Sequence, residues 1–426
     1  MKQKNWAGNQ TLDVESIAQP RNAGEVAALV RDARKRRKLI RPIGSLHSWS
    51  PLCNDAAILI SLSAMDQQLK LDSGDKVRCS GGVKLEKLAD YLHQNGLSLP
   101  VMGDSSQQTI AGGISTGTHG PSICHRIVAD NVSGMTLVDG TGTVQTLTAQ
   151  DERLSAARVA LGLFGVITEV EITPTPAKYL NLDIRVQRDE EWIPHIQDDI
   201  DSNEFYFSYR YSHTNLAVVH KGRTLAEPVE YSISNTRPHD QDFEEVVPAL
   251  YRLAYRSGLG AREVNTLITK VFFRDQTLCG PLHQVLVSDF NSPVSNTEYF
   301  VPKDRAAEIF QAAMALDYPD PVFVAIRGGI RADNNWLSMA YERDSVAIGC
   351  NAFCTPFGSR IPESLRLFNH FMHQQDARPH WAKWCEHDRI DLARHFPKLE
   401  QFLKLRKQFD PDDVFLTPTL RKLLRA

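Results

Sequence analysis

The chain of 426 residues lacks the sequence signatures of several large protein classes. It has no run of about 18 apolar residues, which a membrane-spanning helix needs. Its first residues lack the apolar segment of a signal peptide, so we expect a cytoplasmic location. The dinucleotide fingerprint G-x-G-x-x-G and the P-loop G-x-x-x-x-G-K are both absent. No internal repeat or low-complexity segment is present, which argues against a solenoid or a disordered chain.

The chain also carries little net charge and few features of a metalloprotein. The formal net charge is −3, so no nucleic-acid or membrane partner is expected. Its seven cysteines are scattered and odd in number, which favours reduced thiols. Cys-x-x-Cys and His-Glu-x-x-His are missing, so no metal site is expected. With 42% hydrophobic and 23% charged residues, the composition is that of a globular protein with two or three domains.

Two loops rich in glycine and hydroxyl side chains lie within the first 120 residues. Glycine tolerates close approach and unusual φ, and successive N–H groups with hydroxyls suit an anion. The first loop consists of Arg41, Pro42, Ile43, Gly44, Ser45, Leu46, His47 and Ser48. The second contains Gly112, Gly113, Ser115, Thr116, Gly117, Thr118, His119 and Gly120. Together they predict a large diphosphate cofactor extended along the chain.

These loops carry a family resemblance. R-x-x-G-x-x-H-S followed by A-G-G-x-x-x-T-G-T-H-G resembles the FAD-linked oxidases of the vanillyl-alcohol oxidase superfamily. The closer likeness is to its alditol oxidases and to its aldonolactone oxidases, such as L-gulonolactone oxidase. Asn5–Asn9 resembles the alditol oxidase N-terminus, and Ala377–Lys383 and Phe409–Leu416 resemble the lactone oxidase C-terminus.

The resemblance implies an α+β fold with FAD as cofactor. Residues 1–177 would form a VAO-type (PCMH-type) FAD-binding domain. Residues 178–383 would form an antiparallel-sheet cap, or substrate, domain. Residues 384–426 would return to the FAD-binding domain.

The resemblance also assigns residues to the flavin. His47 would be bonded covalently to the flavin 8-methyl carbon, although Leu46 stands where the family usually has glycine or another residue that lets the ring lie close. His380 and Lys383 would face the isoalloxazine and the substrate, with Lys383 stabilising charge on the reduced ring. The remaining cofactor contacts would come from Gly103, Asp104, Ser105, Gly165, Val166 and Ile167.

The substrate side departs from the family pattern. Arg327 stands where the sugar oxidases have the arginine of Glu-x-Arg, which binds and polarises the substrate hydroxyl, but the glutamate is replaced by Ala325. Four further positions differ from the alditol oxidases, namely Asn296 for a Gln, Gly349 for a His, Asn351 for a Thr, and Asp104 for a Ser near flavin N5. The flavin half of the site is therefore matched and the sugar half is not.

The expected reaction is oxidation of a hydroxyl-bearing carbon in a polyol, sugar lactone or related polar alcohol. A hydride would pass to flavin N5, and O₂ would reoxidise the flavin to give H₂O₂, with Gly103 leaving oxygen room to approach. The protein is expected to be a monomer or small homo-oligomer. Two alternatives stay open, a flavin dehydrogenase or reductase using another acceptor, and a flavin-binding protein that has lost sugar oxidase chemistry.

Hydrophobic periodicity predicts the main elements of secondary structure. Helices are predicted at Ala23–Lys38, Leu85–Asn95, Asp151–Gly162, Lys303–Leu316 and Ser364–Gln374. A hairpin is predicted from Asn131–Val138 and Thr143–Thr148. Cap strands are predicted at Glu204–Tyr211, Leu216–His220, Val285–Ser288, Glu298–Val301, Val322–Ile326 and Ser345–Phe353. The basic run Arg34–Lys38 suits cations at a helix C-terminus or, alternatively, a nucleic-acid patch.

Overall fold

A computed structural model describes residues 1–72, 76–227, 246–253, 260–287, 294–353, 360–386 and 390–425. Within those ranges, none of the helices combines the length and the apolar composition needed to cross a bilayer.

The first part of the chain forms two main sheets. A three-stranded parallel sheet has the order β3-β5-β4, and a five-stranded antiparallel sheet has the order β10-β9-β11-β7-β6. Two small antiparallel pairs, β1-β2 and β8-β12, accompany them. The strands are β1 (Lys2–Lys4), β2 (Thr11–Asp13), β3 (Ser16–Ala18), β4 (Ile40–Ile43), β5 (Ile58–Ser61), β6 (Leu69–Leu71), β7 (Val77–Ser80), β8 (Leu97–Ser98), β9 (Val132–Val138), β10 (Val144–Thr148), β11 (Val166–Ile172) and β12 (Thr175–Pro176).

The later part of the chain forms one large antiparallel sheet. Its eight strands have the order β16-β13-β15-β14-β18-β19-β17-β20. The strands are β13 (Tyr179–Arg188), β14 (Phe205–Tyr211), β15 (Leu216–Leu225), β16 (Gln276–Pro281), β17 (Val294–Pro302), β18 (Phe323–Ile330), β19 (Ser345–Phe353) and β20 (Arg378–Pro379). The inner strand β19 is buried along its whole length, so both faces of the sheet are covered there.

The helices pack around these sheets. They are α1 (Ala23–Lys35), α2 (Leu85–Gln94), α3 (Ile110–Ser115), α4 (Arg153–Ala157), α5 (Asp189–Trp192), α6 (Ile196–Ser202), α7 (Ala261–Phe272), α8 (Leu282–Leu286), α9 (Ala306–Met314), α10 (Glu363–His373), α11 (Leu392–His395), α12 (Leu399–Phe409) and α13 (Pro418–Leu424). Helices α6, α9 and α10 pack on strands of the large sheet. The antiparallel sheet with packed helices that was expected for the cap is therefore present.

The C-terminal segment packs against the first part of the chain. The Ile40 N–H donates to the Val414 carbonyl at 3.0 Å, and the Gly140 N–H donates to the Phe409 carbonyl at 2.9 Å. The Phe409 ring also stacks on Phe164, with centroids 4.8 Å apart. The expected domain limits at residues 177 and 383 stay predictions. These contacts agree with a C-terminal segment that returns to the first part of the chain.

Most predicted elements are confirmed, with ends that shift by a few residues. Helix α1 begins where expected, because the Asn22 side chain accepts the Glu25 N–H at 2.9 Å and caps it. The hairpin is also confirmed, since Val144 pairs with Val138 across the turn. The basic run ends α1, and its cations pair with carboxylates, as in Lys38 with Glu15. These pairs favour the helix-terminus interpretation of the run.

Two predicted elements are wrong. The helix predicted over Asp151–Gly162 is present only as α4, which ends at Ala157, and the positive φ of Leu161 and Gly162, 53° and 69°, excludes these two residues from a helix. The strand predicted at Val285–Ser288 falls partly outside the described residues. Its first residues belong to helix α8, since a short apolar run alone does not separate strand from helix.

Candidate active site

A cavity of about 1160 Å³ is lined by both glycine-rich loops and by the large sheet. Typical small-molecule pockets measure about 300–1,000 Å³, so this cavity can take more than a single sugar. All expected cofactor residues of the first loop line the cavity, as do Gly103, Asp104, Ser105, Gly112, Ser115, Thr116, Thr118, His119, Gly120, Gly165, Val166, Ile167 and Lys383. Among the expected substrate residues, Asn296, Ala325, Arg327 and Asn351 line it, together with His380.

Three residues expected at the site are not among those that line the cavity. Gly117 instead packs on Met339, whose Cε would lie 2.8 Å from an added Cβ. Gly113 faces Gln108 and Thr118 behind the second loop. Gly349 lies between two cavity-lining positions in the large sheet but has no side chain to present. Direct contact with a ligand is therefore not supported for these three residues.

The two glycine-rich loops are in direct contact. A Cβ added to Gly44 would lie 2.2 Å from Thr109 Oγ1, so only glycine permits this approach. Thr109 in turn caps α3, because its Oγ1 accepts the Gly112 N–H at 3.2 Å. The Ser45 hydroxyl adds a hydrogen bond to the Gln107 carbonyl. These contacts hold the loops side by side along one wall of the cavity.

The backbone at Leu46 explains why glycine suits this position. Leu46 has φ of 55°, in the left-handed region that side chains disfavour. The Trp6 N–H donates to the Leu46 carbonyl at 3.0 Å and helps to hold this conformation. The neighbouring His47 ring stacks on Trp6 with centroids 5.1 Å apart, which fixes it at the cavity wall.

The Arg41 side chain has a structural role beside the cavity. Its guanidinium donates to the carbonyls of Leu161, Gly162 and Phe415, the last two at 3.1 Å. Burial also lowers the pKa of Arg41, and only 2% of the residue is exposed. The side chain therefore joins the first loop to the turn before β11 and to the C-terminal tail.

A charged cluster occupies the part of the cavity formed by the large sheet. Arg327 forms an ion pair with Asp104, and its Nε lies 3.5 Å from Glu298 Oε2. Burial disfavours the charge on Arg327, but Asp104 and Glu298 outweigh it and raise the pKa. Two carboxylates thus hold this guanidinium charged and fixed at the cavity surface.

Glu298 connects this cluster to two histidines. Its Oε1 lies 2.9 Å from His119 Nε2, and both side chains are almost fully buried. Burial would raise the pKa of Glu298, but His119, Lys383 and His380 together hold it well below its ordinary value. Burial holds the pKa of His380 well below its ordinary value, so this ring is neutral at pH 7.

Strand register explains how Glu298 reaches Arg327. Gly349 on β19 pairs with Glu298 on β17 and with Ala325 on β18, so the three positions form a row across the sheet. A Cβ on Gly349 would lie 3.5 Å from Glu298 Oε2. With glycine and alanine in the row, the glutamate has space to extend toward Arg327. A carboxylate therefore stands near Arg327 although position 325 has none.

Lys383 and two asparagines complete this end of the cavity. The Lys383 ammonium lies 4.3 Å from the centre of the Trp49 ring, a cation–π contact. Burial lowers the pKa of Lys383, and Glu298 opposes that shift. The Asn296 amide donates to the Asn351 side-chain oxygen, so the two substituted positions form one pair.

The donor set of Glu298, His119 and His380 could in principle hold a metal ion, because one atom from each lies within 4.8 Å of the others. These atoms already have other partners. His119 Nε2 bonds Glu298, and His380 Nδ1 accepts the Ala382 N–H at 3.0 Å. The nearby cations Arg327 and Lys383 would also repel a further positive charge. The expectation of no metal stays a prediction.

Sequence reasoning missed Glu298 and the position of the His119 side chain. His119 was expected at a pyrophosphate, yet its ring contacts Glu298 and lies 4.7 Å from the Phe300 ring. One feature of the sequence could have indicated Glu298. It begins the predicted apolar strand Glu298–Val301, and a glutamate in a buried strand rarely lacks a partner. The partner could not be identified without the strand order.

Comparisons with known proteins identify the family of this chain. Residues 14–148 match the FAD binding domain family, and residues 170–423 match the D-arabinono-1,4-lactone oxidase family. The chain is 31% identical to a D-arabinono-1,4-lactone oxidase of Eremothecium gossypii, across 97% of this chain and 93% of that protein. It is 25% identical to an L-gulono-1,4-lactone dehydrogenase of Mycobacterium tuberculosis, across 99% and 98%. An alditol oxidase of Streptomyces sp. is 26% identical, across 99% and 98%.

Solved structures show the same fold at low sequence identity. A solvent-stable cholesterol oxidase superposes with a TM-score of 0.80 at 16% identity, across 99% of this chain and 97% of that one. A chitooligosaccharide oxidase superposes with a TM-score of 0.70 at 13% identity, across 98% and 93%. The chain therefore has the VAO-type FAD-binding fold.

The fold and the family matches define an FAD-dependent oxidoreductase that acts on CH–OH groups. Within that class, the chain belongs to the D-arabinono-1,4-lactone oxidase family, whose model matches more than half of its residues.

The residues present fit FAD. Glycine backbones form close contacts at the cavity wall, as at Gly165, where an added Cβ would lie 2.2 Å from the Val138 carbonyl oxygen. Ser105 and Ser115 line the cavity with hydroxyl groups that suit a diphosphate, whereas the hydroxyls of Ser45 and Thr116 donate to the carbonyls of Gln107 and Gly112. The cavity is also large enough for a dinucleotide that extends from the loops to the large sheet.

Proposed function

We propose that this protein oxidises a hydroxyl-bearing carbon of a polyol, a sugar lactone or a related alcohol, at the end of the cavity formed by Arg327, Asp104 and Glu298. The observation that carries the proposal is the Arg327 guanidinium, which faces the cavity between two carboxylates. FAD, when bound, supplies the acceptor for the hydride that leaves the carbon. Anaerobic bleaching of the flavin by such substrates tests the proposal.

Each residue of the cluster has a distinct task. Arg327 binds the substrate hydroxyl oxygen and stabilises the negative charge that develops there. Asp104 accepts the hydroxyl proton, since its carboxylate is adjacent to Arg327 and, unlike that of Glu298, is partly exposed. Glu298 positions Arg327 from the buried side. Lys383 provides positive charge toward the flavin, and neutral His380, whose ring lies 5.4 Å from that of His119, adds no charge there.

We infer that His47 carries the flavin through a covalent bond, because it lines the cavity in the R-x-x-G-x-x-H-S loop and is fixed on Trp6. Acid precipitation of the yellow protein should leave the colour in the pellet, whereas His47→Ala should release it. His93→Ala, in helix α2, is the matched control and should keep the colour bound. A colourless pellet from the yellow wild-type protein would contradict the bond while leaving FAD binding intact.

Restoring a carboxylate at position 325 should change substrate preference. Ala325 lines the cavity in the row that contains Glu298 and Gly349, so Ala325→Glu adds a charged hydrogen-bonding group beside the substrate. We expect kcat/KM for polyols to change by more than about 10-fold, since such a bond contributes roughly 1.5–3 kcal/mol. Ala325→Gln is the control, because the Gln side chain has nearly the same shape as the Glu side chain but no charge. Unchanged kinetics with every polyol would mean that position 325 does not face the substrate.

The electron acceptor is proposed to be O₂, which yields H₂O₂. Gly103 lines the cavity, as this choice requires, and the relative named as a dehydrogenase keeps another acceptor open. Steady-state assays with O₂ against quinones and cytochrome c separate the two.

We further propose that the enzyme works in the cytoplasm, as a monomer or small homo-oligomer, without a nucleic-acid or membrane partner.

A further inference from the structure

The cavity-facing side of the large sheet has a polar part and an apolar part. Arg327, Glu298, Asn296 and Asn351 lie on β17, β18 and β19 and form the polar part. The apolar part continues from Ala325 onto the neighbouring strands β14, β15 and β13. It is lined by Ile184, Phe207, Tyr209, Val218, Phe323 and Phe353, which we call the aromatic wall.

The aromatic wall is a connected surface. The Tyr209 ring lies 5.8 Å from Phe323, and Phe323 lies 6.3 Å from Phe353. Phe207 stacks on His220 with ring centroids 3.9 Å apart. Phe273, just after α7, approaches Tyr209 at 5.8 Å and covers the wall from one side. Such a surface inside a cavity favours an occupant that removes its apolar area from water.

A free polyol would use this cavity poorly. Every carbon of a polyol carries a hydroxyl, and hydroxyls placed against phenyl rings lose hydrogen bonds to water without replacing them. Most of the polar groups on the cavity-facing side of the sheet surround Arg327, and His220, Arg274 and Gln276 are the polar residues that line the cavity near the aromatic wall. A molecule with a hydroxyl-bearing head and an apolar substituent would satisfy both parts.

Ala325 and Gly349, two of the positions that differ from the sugar oxidase pattern, lie where the polar and apolar parts meet. Ala325 pairs with Tyr209 on one side and with Gly349 on the other. With a methyl group and a hydrogen at these positions, no polar side chain separates Arg327 from the aromatic wall. The aromatic wall therefore reaches the reacting end directly, since Phe207 pairs with Arg327, and Ala325 and Gly349 add no polar side chain beside it.

We propose that the substrate is amphiphilic, a sugar-like alcohol or lactone that carries an alkyl or aryl group, with its head at Arg327 and its apolar group on the aromatic wall. The proposal rests on the proposed function for the identity of the reacting end, but the aromatic wall carries it independently of turnover. Substrate selection then depends on the apolar group as much as on the arrangement of hydroxyls.

A ladder of ligands with one head group tests this proposal by binding alone. Methyl, butyl, hexyl and octyl β-D-glucopyranoside, each below its micelle concentration, are titrated into the FAD-loaded enzyme and followed by calorimetry and by flavin absorbance. We expect the dissociation constant to fall by about 3- to 4-fold per added methylene until the wall is covered. Equal affinity from methyl to octyl would overturn the proposal.

Variants locate the apolar group on the wall. Phe273→Ser should weaken octyl glucoside binding by about 10-fold or more while leaving methyl glucoside binding unchanged. Phe371→Ser is the matched control, since Phe371 is a partly buried phenylalanine on α10 that does not line the cavity. If Phe371→Ser weakened octyl glucoside binding as much as Phe273→Ser does, the assignment of the apolar group to the aromatic wall would be contradicted.

The failure of this inference and that of the proposed function are distinguishable. Chain-length-dependent binding without flavin bleaching by any alcohol or lactone would support the amphiphilic site and contradict the oxidase function. Rapid bleaching by free polyols, with no gain in affinity along the glucoside ladder, would support the function and overturn the inference.

Discussion

Arg327→Ala should slow anaerobic reduction of the flavin by a true substrate by about 10²–10³-fold, the usual effect of removing a preorganised donor from a developing charge. The alcohol oxygen gains negative charge only as the hydride leaves, so the loss should appear in kcat more than in KM. Stopped-flow absorbance of the FAD-loaded variant measures the rate directly. Arg331→Ala provides a matched control, because Arg331 is an exposed arginine just after the same strand.

Lys383→Met should show the same pattern, because the ammonium offsets charge that the flavin gains on reduction. Both variants should remain yellow and folded. If these positions were surface charges, their loss would change stability by no more than about 0.5 kcal/mol and leave the rate intact. Reduction of both variants at the wild-type rate would mean that the reacting end of the cavity lies elsewhere.

Glu298→Gln is the second change with a large expected effect. It keeps the shape of the side chain but removes the charge that positions Arg327 and supports Lys383. Hydrogen bonds to charged groups contribute roughly 1.5–3 kcal/mol, so reduction should slow by about 10- to 100-fold. Glu308→Gln, on the exposed face of α9, is the control and should leave the rate unchanged.

The pH profile separates this role from a simple packing defect. Glu298 opposes the lowering of the Lys383 pKa that burial causes, so removing its charge lowers that pKa further. If Lys383 acts as a cation, the alkaline limb of the kcat profile should move to lower pH in Glu298→Gln. A slower variant with an unshifted alkaline limb would contradict the link between Glu298 and Lys383.

Unfolding experiments provide a readout that does not depend on turnover. The pKa of Glu298 is held below its ordinary value of 4.5, so its charge stabilises the fold above that value and the benefit is lost as the pH falls through the folded-state pKa. Glu298→Gln should therefore be less stable than the wild type at pH 7, by roughly 3–5 kcal/mol for a broken buried pair. Urea titrations should show this difference shrinking at acidic pH. A constant difference at every pH would contradict the charged role.

The glycine-rich loops could be predicted from sequence because their signal is local. The type and spacing of residues between Arg41 and Ser48, and between Gly112 and Gly120, are sufficient to indicate a diphosphate site. The exceptions arise where tertiary contacts determine the role. The guanidinium of Arg41 binds carbonyls of residues more than 100 positions away, a contact that no local pattern contains.

The substrate end could be predicted only in part, because it depends on strand order. Ala325 was identified as a missing carboxylate, but Glu298 lies 27 residues earlier and reaches Arg327 only because β19 separates β17 from β18. The alternation of Phe207, Tyr209 and Tyr211 predicted a strand. It did not show that these rings face a cavity, since that depends on which face of the sheet meets the first part of the chain.

The measurement that tests the central claim most directly is anaerobic titration of the FAD-loaded wild-type enzyme and of Arg327→Ala with a panel of sugar alcohols, aldonolactones and alkyl glycosides, followed at the flavin absorbance maximum. The expected result is bleaching of the wild-type flavin by at least one member of the panel, and bleaching by the same member that is about 10²–10³-fold slower in Arg327→Ala. A wild-type flavin that stays oxidised with every member, or a variant that bleaches as fast as the wild type, would contradict the assignment of CH–OH oxidation to this site.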